Sequence, residues 1–403
     1  MSNALWAVLP GGIDDPAAPS GGNRYDRVVL SLLSGAGPTG TPPSRVLPPS
    51  RVLPPPPAPA PPPPPPLNWV GASRAAGYDN SPSSSTEPGG AAIAVRDVHE
   101  IAISGSWPSP GPPARAALSR ALTEIPDKSD VLVDGLVACG VPELLEPHAR
   151  RLRLIVLVHL PLSDETGLPA DEAARLRALE RRTLHLADTV IATSGPAASD
   201  ISEMHDLSGV EVAAPGVDPA PAAKPDPAGR RLLCVASVTH RKGQELLVTA
   251  LERHLADLDW RCTFVGALRQ PVPHTDSRIH FAGPLVGADL DAAYDDADLF
   301  VLPSRAETYG MVVTEALAHA LPVLATEVGG VPEALGQAGD GSRPGLLIPP
   351  GDPVVLARAV RAWLTDPALR SRWRAAALDR RRTLPAWTGT ARRLAAILDK
   401  EIR

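Results

Sequence analysis

Short, mainly apolar runs, several rich in β-branched residues, recur along this chain at residues 4–9, 98–103, 130–133, 152–158, 189–192 and 210–213, and again at 232–236, 260–265, 279–281, 299–302, 323–325 and 345–348. Runs of this kind read as strands buried on both faces, the habit of a parallel sheet. Between them lie stretches with helical spacing: a run ending at Leu33, then 112–124, 171–186, a run from Gly243 to Leu255, and 309–319. Three more helices, 353–364, 368–382 and 387–402, follow the last strand. The alternation predicts an α/β protein with crossover helices. In such folds ligands collect in the crevice at the carboxyl ends of the strands.

Two stretches interrupt the alternation. From Pro38 to Gly90 the chain carries a near duplication (Pro43 to Pro48, then Pro49 to Pro54), a long proline run and the serine-rich Ser81 to Glu87. Polyproline has no internal hydrogen bonds and cannot build a core, so 38–90 is predicted to be a disordered or extended insertion; docking of a proline-reading domain is a minor reading. Gly35 to Gly40 matches G-x-G-x-x-G, but the prolines after it leave no helix to receive a pyrophosphate, and it is rejected as a dinucleotide fingerprint. Pro219 to Gly229 is the second break and reads as a linker. The resulting layout is a first domain over 1–37 and 91–215, a linker over 216–229 and a second domain over 230–385, with 386–403 closing the chain.

At 403 residues the chain can bury two ordinary cores. A net charge of −6 gives no support to nucleic-acid binding. Cys139, Cys234 and Cys262 are far apart, without C-x-x-C pairing, so neither a zinc site nor a disulfide framework is predicted, and a reducing, cytoplasmic setting fits. Residues 1–9 lack a basic leader and read as a strand, and no run reaches the roughly 20 apolar residues of a membrane span. The arginines at 370, 372, 374 and 380–382 read as solvated helix faces in preference to a peripheral membrane contact. Three D-x-D triplets (257–259, 289–291, 296–298) are read as chance in an acid-rich chain, and no metal is predicted.

Candidate chemistry gathers at strand ends. Glu307 follows strand 299–302, and Glu315 lies about two turns into the next helix. A carboxylate accepts hydrogen bonds from vicinal hydroxyls, whereas backbone amides at a helix start, here Tyr309-Gly310-Met311, suit phosphate. Arg241 and Lys242 oppose a helix dipole unless an anion sits there. His159 ends the apolar run 152–158, and Gly21-Gly22 precede the first helix. Bland readings stand beside each: a helix cap, solvated charges, a satisfied histidine and ordinary turn glycines.

The combination is more specific than its parts. Glu307-x-Tyr309-Gly310-Met311-Val312-x-x-Glu315, then Ala320 to Ala325, then Gly329-Gly330-Val331-Pro332-Glu333, resembles the donor-binding segment of GT-B glycosyltransferases of the family 4 (group 1) type. The resemblance implies two Rossmann-like domains with parallel sheets facing a central cleft, with 386–403 crossing back to the first domain and Pro215 to Asp218 at the hinge. It implies retaining, metal-independent transfer of a sugar from a nucleotide-diphosphate sugar to a small-molecule, glycan or lipid-linked acceptor, without a further cofactor. Carried over position by position, Glu307 contacts donor hydroxyls, Gly310 and Met311 amides the sugar or diphosphate, and Glu315 the ribose. Arg241 and Lys242 meet the diphosphate, Leu285 in Gly283-Pro284-Leu285 frames the base, Gly21 and Gly22 face the donor across the cleft, and His159 lines the active site. Glu307, Lys242 and His159 are thereby the candidate catalytic residues. Two departures stand out: the early insertion, and Ala236-Ser237 where relatives carry an arginine. They motivate an alternative, a catalytically silent relative that binds nucleotide sugar or scaffolds partners; an epimerase of the same fold is a third reading.

Overall fold

The computed structural model describes residues 4–14, 20–37, 93–165 and 167–400. The expected insertion at 38–90 falls outside them. Twelve strands form two sheets of six, all parallel. The first holds β1 (Ala4–Pro10), β2 (Asp97–Ile103), β3 (Asp130–Asp134), β4 (Arg153–Val158), β5 (Thr189–Ala192) and β6 (Glu211–Val212) in the order 2-1-3-4-5-6. The second holds β7 (Arg231–Val235), β8 (Arg261–Val265), β9 (Ile279–Gly283), β10 (Leu299–Leu302), β11 (Val323–Thr326) and β12 (Gly345–Ile348) in the order 12-11-10-7-8-9.

Strand order reverses twice in a way that matters. β1 lies between β2 and β3, with Val8 flanked by Ile101 and Val133. β7 lies between β8 and β10. At such switch points successive crossovers leave in opposite directions and open a crevice above the carboxyl ends of the strands. In the second sheet that crevice receives the turn His240–Lys242 and the loop after Leu302.

Both faces of each sheet are covered. Leu154, Val156 and Val158 point into one core and Ile155 and Leu157 into the other, the alternation that makes a continuous apolar run necessary in a doubly covered strand. The helix Trp387–Leu398 joins the first sheet's core beside the helix Gly21–Leu33: Trp387 stands edge-on to Tyr25 at 5.9 Å, and Thr390 Oγ1 donates to Ala214 O at 2.8 Å. Among the described residues no helix is long and apolar enough to cross a membrane.

Several details differ from expectation. Gly21 and Gly22 are the first residues of their helix, not a loop ahead of it, because Ser20 is the cap and its Oγ accepts from Asn23 N at 3.1 Å. The helix expected over 309–319 is Met311–Ala318. Helices Gly195–His205 and Gly287–Asp295 carry too few large apolar residues to show in the pattern. The arginine group is only partly a set of solvated faces: Arg372 and Arg382 are exposed, but Arg370 is buried and donates to Trp363 O, Arg374 donates to Asp226 O at 2.6 Å, and Arg380 to Leu335 O at 3.1 Å. Long guanidinium arms here tie off the orphan carbonyls of turns and helix ends. Asp298, in the third D-x-D, is wholly buried and holds Arg231 at 2.7 Å.

Candidate functional site

Leu302 ends β10, and the loop that follows turns Glu307 back into the second sheet's switch point, where its carboxylate is almost fully buried. Lys242 Nζ donates to Glu307 Oε1 at 2.6 Å and Ser304 Oγ donates to the same oxygen at 2.7 Å; Arg241 Nη1 lies 3.7 Å from Oε2. Burial alone would raise this carboxyl, but the two cations and the hydrogen bonds from Lys242 and Ser304 outweigh it and hold the group below the usual carboxylate range. Arg241 also donates to Ala306 O at 3.2 Å and approaches Glu165 of the first lobe at 3.8 Å. Two positive side chains are thus fixed at the strand ends by a carboxylate whose own position they fix.

The glycine pair after β11 has a steric reason. Gly329 has φ +45°, and a Cβ there would stand 1.7 Å from Glu307 O. Only glycine lets the Gly329-Gly330 turn lie against the Glu307-Thr308 backbone. Gly310, at φ +90°, ends that loop and opens the helix Met311–Ala318. Tyr309 is core: its ring is buried among Leu302, Val313 and Val331, leaving only backbone toward the crevice. Leu285 is half-buried at the edge of the same cluster.

Glu315 points to the seam between the lobes. Its Oε1 accepts from Arg24 Nη1 at 2.8 Å and its Oε2 from Tyr294 OH at 3.1 Å. Arg24 also reaches Asp218 at 2.6 Å, so one side chain of the first lobe joins the helix acid to the hinge turn. Gly21 and Gly22 line the same seam: a Cβ on Gly21 would meet Met311 Sδ at 3.2 Å, and one on Gly22 would meet His159 Cδ2 at 3.1 Å.

His159 follows β4, with Nε2 2.9 Å from Asp26 Oδ1 and its ring edge-on to Tyr25. Asp134, at the end of β3, completes a trio whose ligand atoms lie within 4.8 Å of one another. Asp134 Oδ1 accepts from Leu136 N at 2.6 Å, whereas Asp26 Oδ2 is buried without a hydrogen-bond partner. Burial works against the imidazolium, but Asp26 and Asp134 outweigh it and push His159 up to about 9. Burial, then the negative charge of Asp26, pushes Asp134 up to about 7. The trio is best described as a buried proton-holding cluster. Two carboxyls and a histidine with ligand atoms this close are a donor set that could hold a divalent ion.

The lobes meet around the loop between Leu302 and Met311. Thr308 Oγ1 donates to His159 O at 2.7 Å, Ser194 Oγ donates to Thr308 O at 2.5 Å, and Gly195 N donates to Glu333 Oε2 at 3.0 Å. Between the lobes lies a cavity of about 260 Å³. Leu160, Pro161, Asp164, Ala197 and Asp200 line one wall, and Arg305, Glu307 and Thr308 are on the other.

The structure therefore brings Glu307, Lys242 and Arg241 together, and Gly310 ends the same loop as Glu307. It sets Glu315, Met311, Gly21, Gly22 and His159 along one seam. Arg24, Asp26, Asp134, Tyr294, Ser304 and Thr308 were missed by sequence reasoning. Asp134 alone carried a usable signal, since it ends a strand just as His159 does.

Two six-stranded parallel sheets with their switch points turned to a shared cleft, and a last helix packed on the first sheet, define the GT-B architecture. Residues 229–366, within the second lobe and its closing helices, match the family "Glycosyl transferases group 1". Among solved structures, the sucrose-phosphate synthase of Thermosynechococcus elongatus superposes with a TM-score of 0.65 at 19% identity, covering 98% of both chains. HepE of Anabaena, in complex with UDP and glucose, gives 0.62 at 15% identity over the full length of both. Among curated relatives, D-inositol 3-phosphate glycosyltransferase 1 of Catenulispora acidiphila is 33% identical over 284 residues, 64% of this chain and 66% of that one. D-inositol 3-phosphate glycosyltransferase of Kineococcus radiotolerans is 31% identical over 248 residues, 53% of this chain and 57% of its own length. The match thus spans about three fifths of the relatives' length.

Proposed function

We propose that this protein transfers a sugar, with retention of anomeric configuration and without a metal, from a nucleotide-diphosphate sugar held by the second lobe to a hydroxyl of an acceptor held by the first. The observation that carries the reading is the Lys242–Glu307 pair at the β7/β10 switch point, with Arg241 behind it. A diphosphate leaving group gains negative charge as the glycosidic bond breaks, and fixed cations aimed at developing charge are usually the largest catalytic contribution. Arg241, Lys242 and the amides that open Met311–Ala318 supply that field. Glu307, kept ionised by the same cations, accepts hydrogen bonds from sugar hydroxyls and orients the ring, while Leu285 borders the base. Glu315 takes the ribose hydroxyls, for which Arg24 gives up Oε1. His159, fixed by Asp26, borders the reacting centre from the other lobe.

A panel of nucleotide sugars offered with mixed acceptors, read by mass spectrometry and by the anomeric proton couplings of the product, tests this directly. The expected result is one donor class consumed, with the donor's anomeric configuration kept and turnover unaffected by a chelator. Glu315→Ala should raise the donor KM about tenfold or more, and Lys242→Ala should lower kcat by about 10²–10³, the usual cost of removing one charge-stabilising donor. Binding of a donor with no turnover for any acceptor would favour a silent relative, and unchanged kinetics in both variants would remove the site assignment.

A further inference from the structure

We propose that the acceptor is a hydroxyl-rich molecule bearing no anionic group, with an amine-bearing sugar favoured over its neutral counterpart and a phosphorylated one rejected, because the first-lobe wall of the cleft is acidic and its anion-holding positions are filled. This rests on the transferase reading above, which makes the wall opposite Glu307 the acceptor side.

Asp164 and Asp200 are the ionisable residues of that wall among the described lining residues, and the cation in the lining, Arg305, is on the facing wall. Both carboxyls are shifted upward. For Asp164 the causes are burial and the charge of Glu180, opposed only in part by Ser163 and Arg177; for Asp200 they are burial and Glu203. Carboxylates that are costly to ionise in the free protein gain when an ammonium or a hydroxyl donor arrives, and an anion there adds to the cost.

The cations near the cavity are committed elsewhere: Arg305 donates to His240 O at 2.6 Å and pairs with Glu245 at 2.5 Å, while Lys242 and Arg241, beside Glu307, are the pair assigned above to the donor's diphosphate. One feature could still have held a phosphate, the amino end of the helix Gly195–His205, whose Ala197 borders the cavity. Its first amides are taken: Gly195 N by Glu333 Oε2 at 3.0 Å and Ala197 N by Ser194 Oγ at 3.0 Å. A carboxylate plugs the natural anion site, and the cavity of about 260 Å³ favours a single small ring.

Glucosamine, glucose and glucose 6-phosphate serve as probes, with affinities measured by saturation-transfer NMR on the full chain in the presence of UDP. Glucosamine should bind about tenfold more tightly than glucose 6-phosphate, with glucose between them, and the spread should shrink to within about threefold in the Asp164→Asn/Asp200→Asn double variant. Both positions are partly solvent-facing and the replacements are isosteric; an unchanged melting temperature checks the fold. Equal or tighter binding of the phosphate ester, a ranking that survives the double substitution, or binding of none of the three overturns the proposal. Titration with UDP and other nucleoside diphosphates alone reads the donor site separately. Failure there with the sugar ranking intact removes the transferase reading but leaves the charge selectivity standing.

Discussion

At the scale of single residues, charge pairing controls the site. Removing Lys242 leaves Glu307 buried beside a more distant cation, so its carboxyl should rise from its depressed value. Lys242→Met is expected to destabilise the fold by about 2–4 kcal/mol, as measured by urea denaturation, somewhat below the roughly 3–5 kcal/mol for stranding one member of a fully buried pair because Lys242 is partly exposed. Glu307→Gln should cost less, because the amide still accepts from Ser304. The His159 cluster gives a pH signature. With His159 at about 9 and Asp134 at about 7, the folded chain keeps protons that the unfolded chain sheds near 6.5 and 4. The His159 contribution is therefore whole below about pH 6.5 and lost as pH rises toward 9, and Asp134 costs stability as it ionises between about pH 4 and 7. Asp134→Asn retains an acceptor for Leu136 N; it should gain about 1–2 kcal/mol at pH 8 and nothing near pH 4, as read by thermal melts across that range.

At the scale of elements, much was legible. Short, mainly apolar runs marked the strands to within a residue or two, since a doubly covered strand keeps few polar positions to disguise it. The sites at strand ends followed from the same logic for Glu307, Lys242 and His159. What stayed hidden depends on neighbours distant in the chain. Arg24 gains its meaning from Glu315, 291 residues away, and Asp26 from His159; no local pattern encodes either pairing. The arginine group misled because length and charge suggest solvent, while turns nearby had carbonyls to fill. The Gly329-Gly330 turn was read as part of a motif and proves to be a steric necessity. Gly329→Ala forces a Cβ into Glu307 O at a strained φ of +45°, so it should cost about 1–3 kcal/mol and displace the Glu307 loop. Loss of donor binding with a cooperative melt retained would check this.

At the scale of the whole molecule, few polar contacts join the lobes, and they cluster. The Arg24 link is partly exposed and should contribute little alone. Arg24→Ala is expected to leave the melting temperature nearly unchanged while lowering the nucleotide Kd a few fold, because Glu315 Oε1 no longer has to be vacated; a thermal melt reads the first and a calorimetric titration the second. Thr308→Val combined with Ser194→Ala removes two links of about 1 kcal/mol each. It should enlarge the radius of gyration seen by small-angle scattering if the lobes separate as units.

Thr308 hands its hydroxyl to one strand end of the opposite lobe and its carbonyl to another, one residue along from Glu307. On the proposed reading, parting the halves therefore tugs on the loop that would grip the sugar. Product escape and the resetting of that grip become a single event, and slowing one with a viscous medium should slow the other in step.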